Sequence, residues 1–322
     1  MQPTDPQAQN LRCSSWEEIA RALEKFGPPE VTIDDKGEVS KPNGTWVFRG
    51  LKRACYELKP AIEREAQSKS MEWPALERFV LDEFKSRARI HLGALSVPED
   101  ELSWLALMQH YTVPTRLLDF TYSPFVALYF AVSPEDGTKR GNPGNKCDVR
   151  VWAINAEAVK SQFSAVAWRA LAEERKRLGM RTSGRVGLGM EDQVTDRDSM
   201  ITEIDEFRAQ VAGLLSYPRT CRTELHQHGC VCPASPPAFN PRFASQQGVF
   251  LLNFEPGFSF NQSLNKMMAR CTNWCKTFDI DAGATSEIEQ RLFQMNIHEH
   301  SLFPDMEGLA GLIRQKIRLH CK

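Results

Sequence analysis

No stretch of this chain approaches about 18 consecutive apolar residues, which excludes a transmembrane helix. Its first residues, MQPTDPQAQN, supply neither a basic region nor an apolar one, so a secretory signal is not expected. Position 2 lacks the glycine that myristoylation requires. Charge of one sign is missing as well: 40 Lys and Arg stand against 41 Asp and Glu, a net charge of −1. That balance demands no nucleic-acid partner, although a local basic patch can hide in a neutral total. Nor is there a Walker-A loop, a Gly-x-Gly-x-x-Gly at a strand–helix junction, a His-Glu-x-x-His or a Gly-x-Ser-x-Gly elbow. The enzymes most easily read from a sequence are thereby set aside.

What is present is ordinary in bulk. The 322 residues are 42% hydrophobic and 25% charged, which excludes global disorder and fibrous folds. At about 150 residues per domain they suit one large domain or two ordinary ones, and a core of that size needs no staples. Nine cysteines without an export signal point to reduced thiols and a cytoplasmic protein.

Residues 1–14 are expected to form a disordered tail. From Ser15, SWEEIARALEKF sets Trp16, Ile19, Leu23 and Phe26 at helical spacing, with Ser15 and Glu18 as a capping box. Thr45 to Phe48 reads as a buried strand running into Arg49-Gly50. Residues 74–92 and 100–111 read as helices, the second starting at the cap residue Asp100. The stretch 113–133, VPTRLLDFTYSPFVALYFAVS, reads as a loop, a Ser123-Pro124 helix start and an apolar helix. Proline in a first helical turn costs nothing, because its missing N–H would be an orphan donor. Residues 149–154 alternate as a strand, 155–178 look helical and charged, and 179–205 form a candidate mobile insertion. After Tyr217-Pro218 the chain reads as loop up to a buried strand at 248–252, with helices expected at 264–275, 286–295 and 304–319. Strands and helices interleave without a βαβ period. The fold class is therefore α+β, a mixed or antiparallel sheet with helices, in a single domain over 15–322.

Several clusters could carry chemistry. His226, His228, Cys230 and Cys232 stand at every second position, a ligand set zinc accepts, but alternate residues of a strand point the same way and cannot enclose an ion. A polar loop is the competing reading. Arg49 at the end of a buried strand needs either a salt-bridge partner, such as Asp119, or an anion to clamp. Arg116, Asp119, Thr121 and Ser123 crowd the residues before the apolar helix, where they either cap it or share its N–H groups with an anion. Arg242 and Gln246 precede the strand GVFLL, where the amide offers both donor and acceptor.

Four stretches together resemble the FRG domain, a family named for its Phe-Arg-Gly signature. They are Phe48-Arg49-Gly50; Ala106-Leu107-Met108-Gln109-His110-Tyr111 with Pro114-Thr115-Arg116-Leu117-Leu118-Asp119, Thr121 and Ser123-Pro124; Arg242, Gln246, Gly248 and Phe250; and Leu302-Phe303-Pro304-Asp305 with Gly308-Leu309. The family's layout is in turn similar to that of mono-ADP-ribosyltransferases. This resemblance implies a transferase-like fold and NAD as substrate, with no metal required. NAD would be held by Arg49, Gly50, Arg116, Thr121 and Ser123, and Tyr111 or Phe120 would stack its nicotinamide. Asp119, Gln246 and His110 would be the catalytic set, Asp119 stabilising the oxocarbenium-like centre. The implied activity is ADP-ribosyl transfer to nucleic acid or protein, or NAD hydrolysis, as in a toxin or anti-phage effector. Membranes play no part in it. The sequence departs from the transferases on the late strand, where they carry a Glu and this chain has Gln246 and Gly248. Gln cannot act as a base. Asp119, His110, or Glu203 or Glu206 from the insertion would have to substitute. The alternative is a non-catalytic module that binds a nucleotide, a nucleic acid or a protein.

Overall fold

Aromatic and β-branched runs such as WVFRGL, VRVWAIN and GVFLLN suit a pleated surface buried on both sides, and they form the middle of one sheet. A computed structural model describes residues 8–26, 32–33, 39–40, 45–92, 97–134, 147–163, 229–234, 241–255, 257–269 and 273–320. Seven strands build the sheet: β1 (Gln9–Cys13), β4 (Trp46–Leu51), β5 (Leu117–Thr121), β6 (Val149–Asn155), β7 (Val231–Ala234), β8 (Gly248–Asn253) and β9 (Cys275–Ile280). Their spatial order is β1-β9-β6-β4-β5-β8-β7, and a separate ribbon pairs β2 (Thr32–Ile33) with β3 (Val39–Ser40). β1 runs parallel to β9, and the other neighbours are antiparallel. The α+β class with a mixed sheet is what the sequence implied.

The helices are α1 (Trp16–Glu24), α2 (Ala61–Ser68), α3 (Trp73–Ala88), α4 (Glu101–His110), α5 (Pro124–Val132), α6 (156–163), α7 (Pro241–Ser245), α8 (Phe260–Met268), α9 (Thr285–Gln294), α10 (Glu299–Leu302) and α11 (Met306–His320). α5 starts where the Ser123-Pro124 pair predicts, with the Ser123 hydroxyl accepting the Val126 N–H at 3.3 Å. Asp100 caps α4 in the same way, through the Ser103 N–H. At α1 the expected box is half formed: Ser15 takes the Glu18 N–H, but the Glu18 carboxylate reaches back to Ser14.

Several segments depart from expectation. Residues 9–13, assigned to a frayed tail, are the edge strand β1, because they find a parallel partner in β9. Residues 117–121, read as loop, are the central strand β5. The stretch 264–275 is not one helix: α8 lies at Phe260–Met268, and β9 begins at Cys275. The insertion at 179–205 lies outside the described residues.

Two helical layers share one face of the sheet. α5 packs on Phe48, Val151 and Ala153. Further along, α3 and α4 pack on Leu117, Phe250 and Leu252. The opposite face, with Val47, Leu118, Trp152 and Leu251, is covered by α8 through Phe260 and Leu264. The sheet is not continuous at its centre. β4 pairs with β6 from Trp46 to Leu51, and β5 with β8 from Leu117 to Thr121, yet β4 and β5 meet only at Phe48 and Thr121. Past that point the strands splay apart, and the gap lies between α5 and α4.

Candidate functional site

A cavity of about 870 Å³ lies at this split, near the upper end of the range for small-molecule sites. Its walls come from β4, the segment leading into α2, the end of α4, β5, α5, α7 and the Phe303 segment. The ring side chains Phe120, Phe130, Phe243, Phe250 and Phe303 line it, together with the cations Arg49, Lys52, Lys59, Arg64 and Arg242. Glu57 and Asp119 are its carboxylates.

Arg49 sits at the centre. By strand alternation it leaves β4 opposite to Phe48, and its Nη1 bonds the main-chain oxygen of Asp119, spanning the gap between the strands. The Asp119 carboxylate is 4.0 Å from the same nitrogen. The Arg49 side chain is 22% exposed, and its Nε is buried without a hydrogen-bond partner. Burial holds this guanidinium below its ordinary pKa; Asp119 counters the effect and Arg64 adds to it. A desolvated cation whose near bond goes to a neutral carbonyl is completed by an anion. The sequence offered a salt bridge or a clamp for Arg49. The geometry combines a long contact to Asp119 with an unused donor.

Asp119 is the exposed member of an otherwise buried strand, its side chain 58% accessible. It is held in place from behind. Gln109 Nε2 donates to Asp119 Oδ2 at 2.9 Å, and Thr115 Oγ1 donates to Gln109 Oε1 at 2.7 Å. Thr115 is fully buried and also accepts the Leu117 N–H at 3.2 Å. Sequence reasoning missed Gln109 and Thr115 as site residues, although both stand in the long central motif.

Other expected site residues divide. His110 lines the cavity; burial and then the charge of Arg242 hold its pKa below the usual value. Gln246 lines it too, with its amide donating to the Leu302 oxygen at 3.1 Å. The Thr121 hydroxyl donates to the Gln246 carbonyl at 2.7 Å and accepts the Ser123 N–H at 3.0 Å, so it ties β5 to the turn before β8. Arg242 stacks over the Phe303 ring at 4.1 Å, a geometry that favours a cation.

The structure places the other four expected residues as follows. Arg116 is not a cavity residue. Its Nε bonds Glu77 Oε2 at 2.5 Å, its main-chain N–H bonds Glu77 Oε1 at 2.9 Å, and its guanidinium lies over Trp73 at 5.3 Å. Ser123 does not line the cavity either; it is the cap of α5. Tyr111 is 54% exposed and lies outside the lining, its ring edge-on to His110 at 4.8 Å. Gly50 does line the cavity, but its lack of a side chain serves packing. A Cβ there would collide with the Ala127 carbonyl oxygen and stand 2.5 Å from the Ala131 nitrogen, so glycine is what lets α5 lie on β4.

Of the proposed metal ligands, Cys230 and Cys232 are fully buried around the start of β7, and burial pushes the Cys232 thiol far up. His226, His228, Glu203 and Glu206 lie outside the described residues. Among the described residues no group of His, Cys, Asp and Glu is placed to hold a metal ion. Among them, too, no helix is long and apolar enough to cross a membrane.

The fold and site therefore define an α+β protein with a cation-rich cavity at a split in its sheet. Residues 44–140 match the family model of the FRG domain, and the chain carries that domain. No curated protein and no solved structure matches the chain. The matched segment holds Arg49, the Gln109–Asp119 relay and α5. Arg242, Gln246, Phe250 and Phe303, which close the same cavity, lie beyond it.

Proposed function

We propose that the cavity binds NAD and breaks its nicotinamide–ribose bond, passing ADP-ribose to water or to an acceptor. The observation that carries this reading is the pairing at the split: a guanidinium with an unused buried donor, Arg49, beside a solvent-facing carboxylate, Asp119. Arg49 would take the pyrophosphate by charge-assisted bonds. Phe250 and Phe303 provide apolar area for a flat ring. As the C1′–N1 bond breaks, its electron pair leaves with nicotinamide, and positive charge develops on the ribose, where Asp119 would stabilise it. The attacking water or acceptor atom then bonds C1′, and its proton passes to Asp119 or to His110 and on to solvent.

A second reading, a nucleotide-binding module without turnover, draws on Gln246. Its amide is spent on the Leu302 carbonyl, and Gly248 follows it where a transferase carries a Glu. Nicotinamide release and NAD binding, measured together, separate the two. Expected are release by the native chain, loss of binding in Arg49→Ala, and binding without release in Asp119→Asn. Binding without release in the native chain would replace the first reading with the second. The absence of both would overturn each.

A further inference from the structure

The cavity carries more positive charge than NAD can use. Five lysine and arginine side chains line it against two carboxylates, whereas the pyrophosphate of NAD is partly cancelled by its own nicotinamide ring. Two of these cations, Lys59 and Arg64, stand around the segment leading into α2, which also carries Glu57. There the Lys59 ammonium donates to the Gln67 side-chain oxygen, and Arg64 Nη1 donates to the Lys59 carbonyl. Both acceptors are neutral, so these bonds hold the cations in place without discharging them.

One exposed aromatic ring lines the cavity and another adjoins a lining residue. Tyr56 lines the cavity and is 44% exposed, with the Arg53 guanidinium over its ring at 5.7 Å. Tyr111, 54% exposed, stands edge-on to the cavity-lining His110. A buried core has no use for either ring. Flat rings interleaved with cations recognise single strands: the cations track phosphates while each ring offers a face on which an unpaired base stacks. An acidic peptide would use the cations and leave the rings idle, and the stacked bases of a duplex could not reach them.

We propose that the mouth of the cavity binds single-stranded nucleic acid, with Lys59 and Arg64 on its phosphates and Tyr56 and Tyr111 stacking its bases. The proposal deepens the NAD reading by naming the macromolecule presented to that site, and it rests on that reading for its purpose.

The test is fluorescence anisotropy of the full chain with labelled 20-nucleotide strands of thymidylate or uridylate, without NAD, over a salt series. Binding should weaken with salt by a slope of about −0.7 per phosphate contact. Lys59→Gln with Arg64→Gln should lower that slope and weaken binding at least about tenfold at low salt. Tyr56→Ala should weaken it by about fivefold or more, and Tyr56→Phe should restore it. Circular dichroism melting confirms that each variant is folded. Four results would overturn the proposal: no binding at low salt, equal binding of a polyglutamate of the same length, tighter binding of a duplex, or variants that bind as the native chain does. Because NAD is absent throughout, a failed NAD reading would leave this result standing, and the reverse also holds.

Discussion

Gln109 and Asp119 are joined by a single hydrogen bond, Nε2 to Oδ2 at 2.9 Å, and the fully buried Thr115 hydroxyl fixes which way the Gln109 amide faces. An exposed carboxylate on a central strand would otherwise sweep through several rotamers. Here a three-residue relay runs from the core to the cavity and sets its direction.

That relay predicts a positioning effect. A hydrogen bond to a charged group contributes about 1.5–3 kcal/mol, or about ten- to hundredfold in rate where the charge acts in the transition state. In Gln109→Leu and Thr115→Val, kcat for nicotinamide release should fall by about that factor, with KM little changed. Thr115→Ser, which keeps the hydroxyl, should recover most of the loss. A kcat indifferent to all three variants would remove the relay from the mechanism.

Arg116 makes the opposite case. It shares its motif and its charge with residues of the site, but Glu77 engages it through three of its nitrogens, and the Glu77 side chain is 2% exposed. Breaking such a pair leaves a buried charge alone, at a cost of about 3–5 kcal/mol. Arg116→Ala should therefore lower Tm sharply and cut the yield of folded protein. NAD affinity, counted per folded molecule, should stay at the native level. Calorimetric unfolding beside a binding titration checks both halves.

Gly50 should behave as a packing residue in the same sense. Adding one methyl drives a Cβ into the Ala127 carbonyl of α5, an overpacking that costs about 1–3 kcal/mol or more. Gly50→Ala is expected to lower Tm, by thermal unfolding, whether or not NAD is present. A variant with native Tm and lost NAD binding would show instead that the glycine makes room for ligand.

How much of this was legible follows from the range of the interactions. The start of α5 was readable because its signals are local: a serine cap, a proline in the first turn, an apolar run. β5 was not, because LLDFT interrupts its apolar pattern with its one exposed residue, Asp119. β1 was hidden because QNLRC is largely exposed and becomes a strand only through pairing with β9, far along the chain. Arg49 and Arg116 look alike as residues, and what separates them is the position of Glu77 on α3. The cavity's cations were visible singly, and only the fold gathers them.

Glu63 ties α2, whose Ala61 and Arg64 line the cavity, to the first N–H of α8, accepting from Phe260 at 2.8 Å. It is 5% exposed, and its Oε2 has no partner. Burial raises its pKa from an ordinary 4.5 to about 7, with the Phe260 N–H and Lys59 offsetting part of the effect. The folded state therefore keeps a proton that the unfolded chain has released between those two values. The stability this group provides is complete below about pH 4.5 and declines as pH rises towards 7, by about 3 kcal/mol in all, after which it is level. Glu63→Gln keeps an oxygen for the Phe260 N–H and has no proton to lose. Its Tm relative to the native chain should climb steadily from pH 5 to 7 and then hold constant to pH 8.5. Two parallel Tm curves over that range would show that Glu63 does not titrate there, and with that the pH-sensitive link between α2 and α8 would be lost.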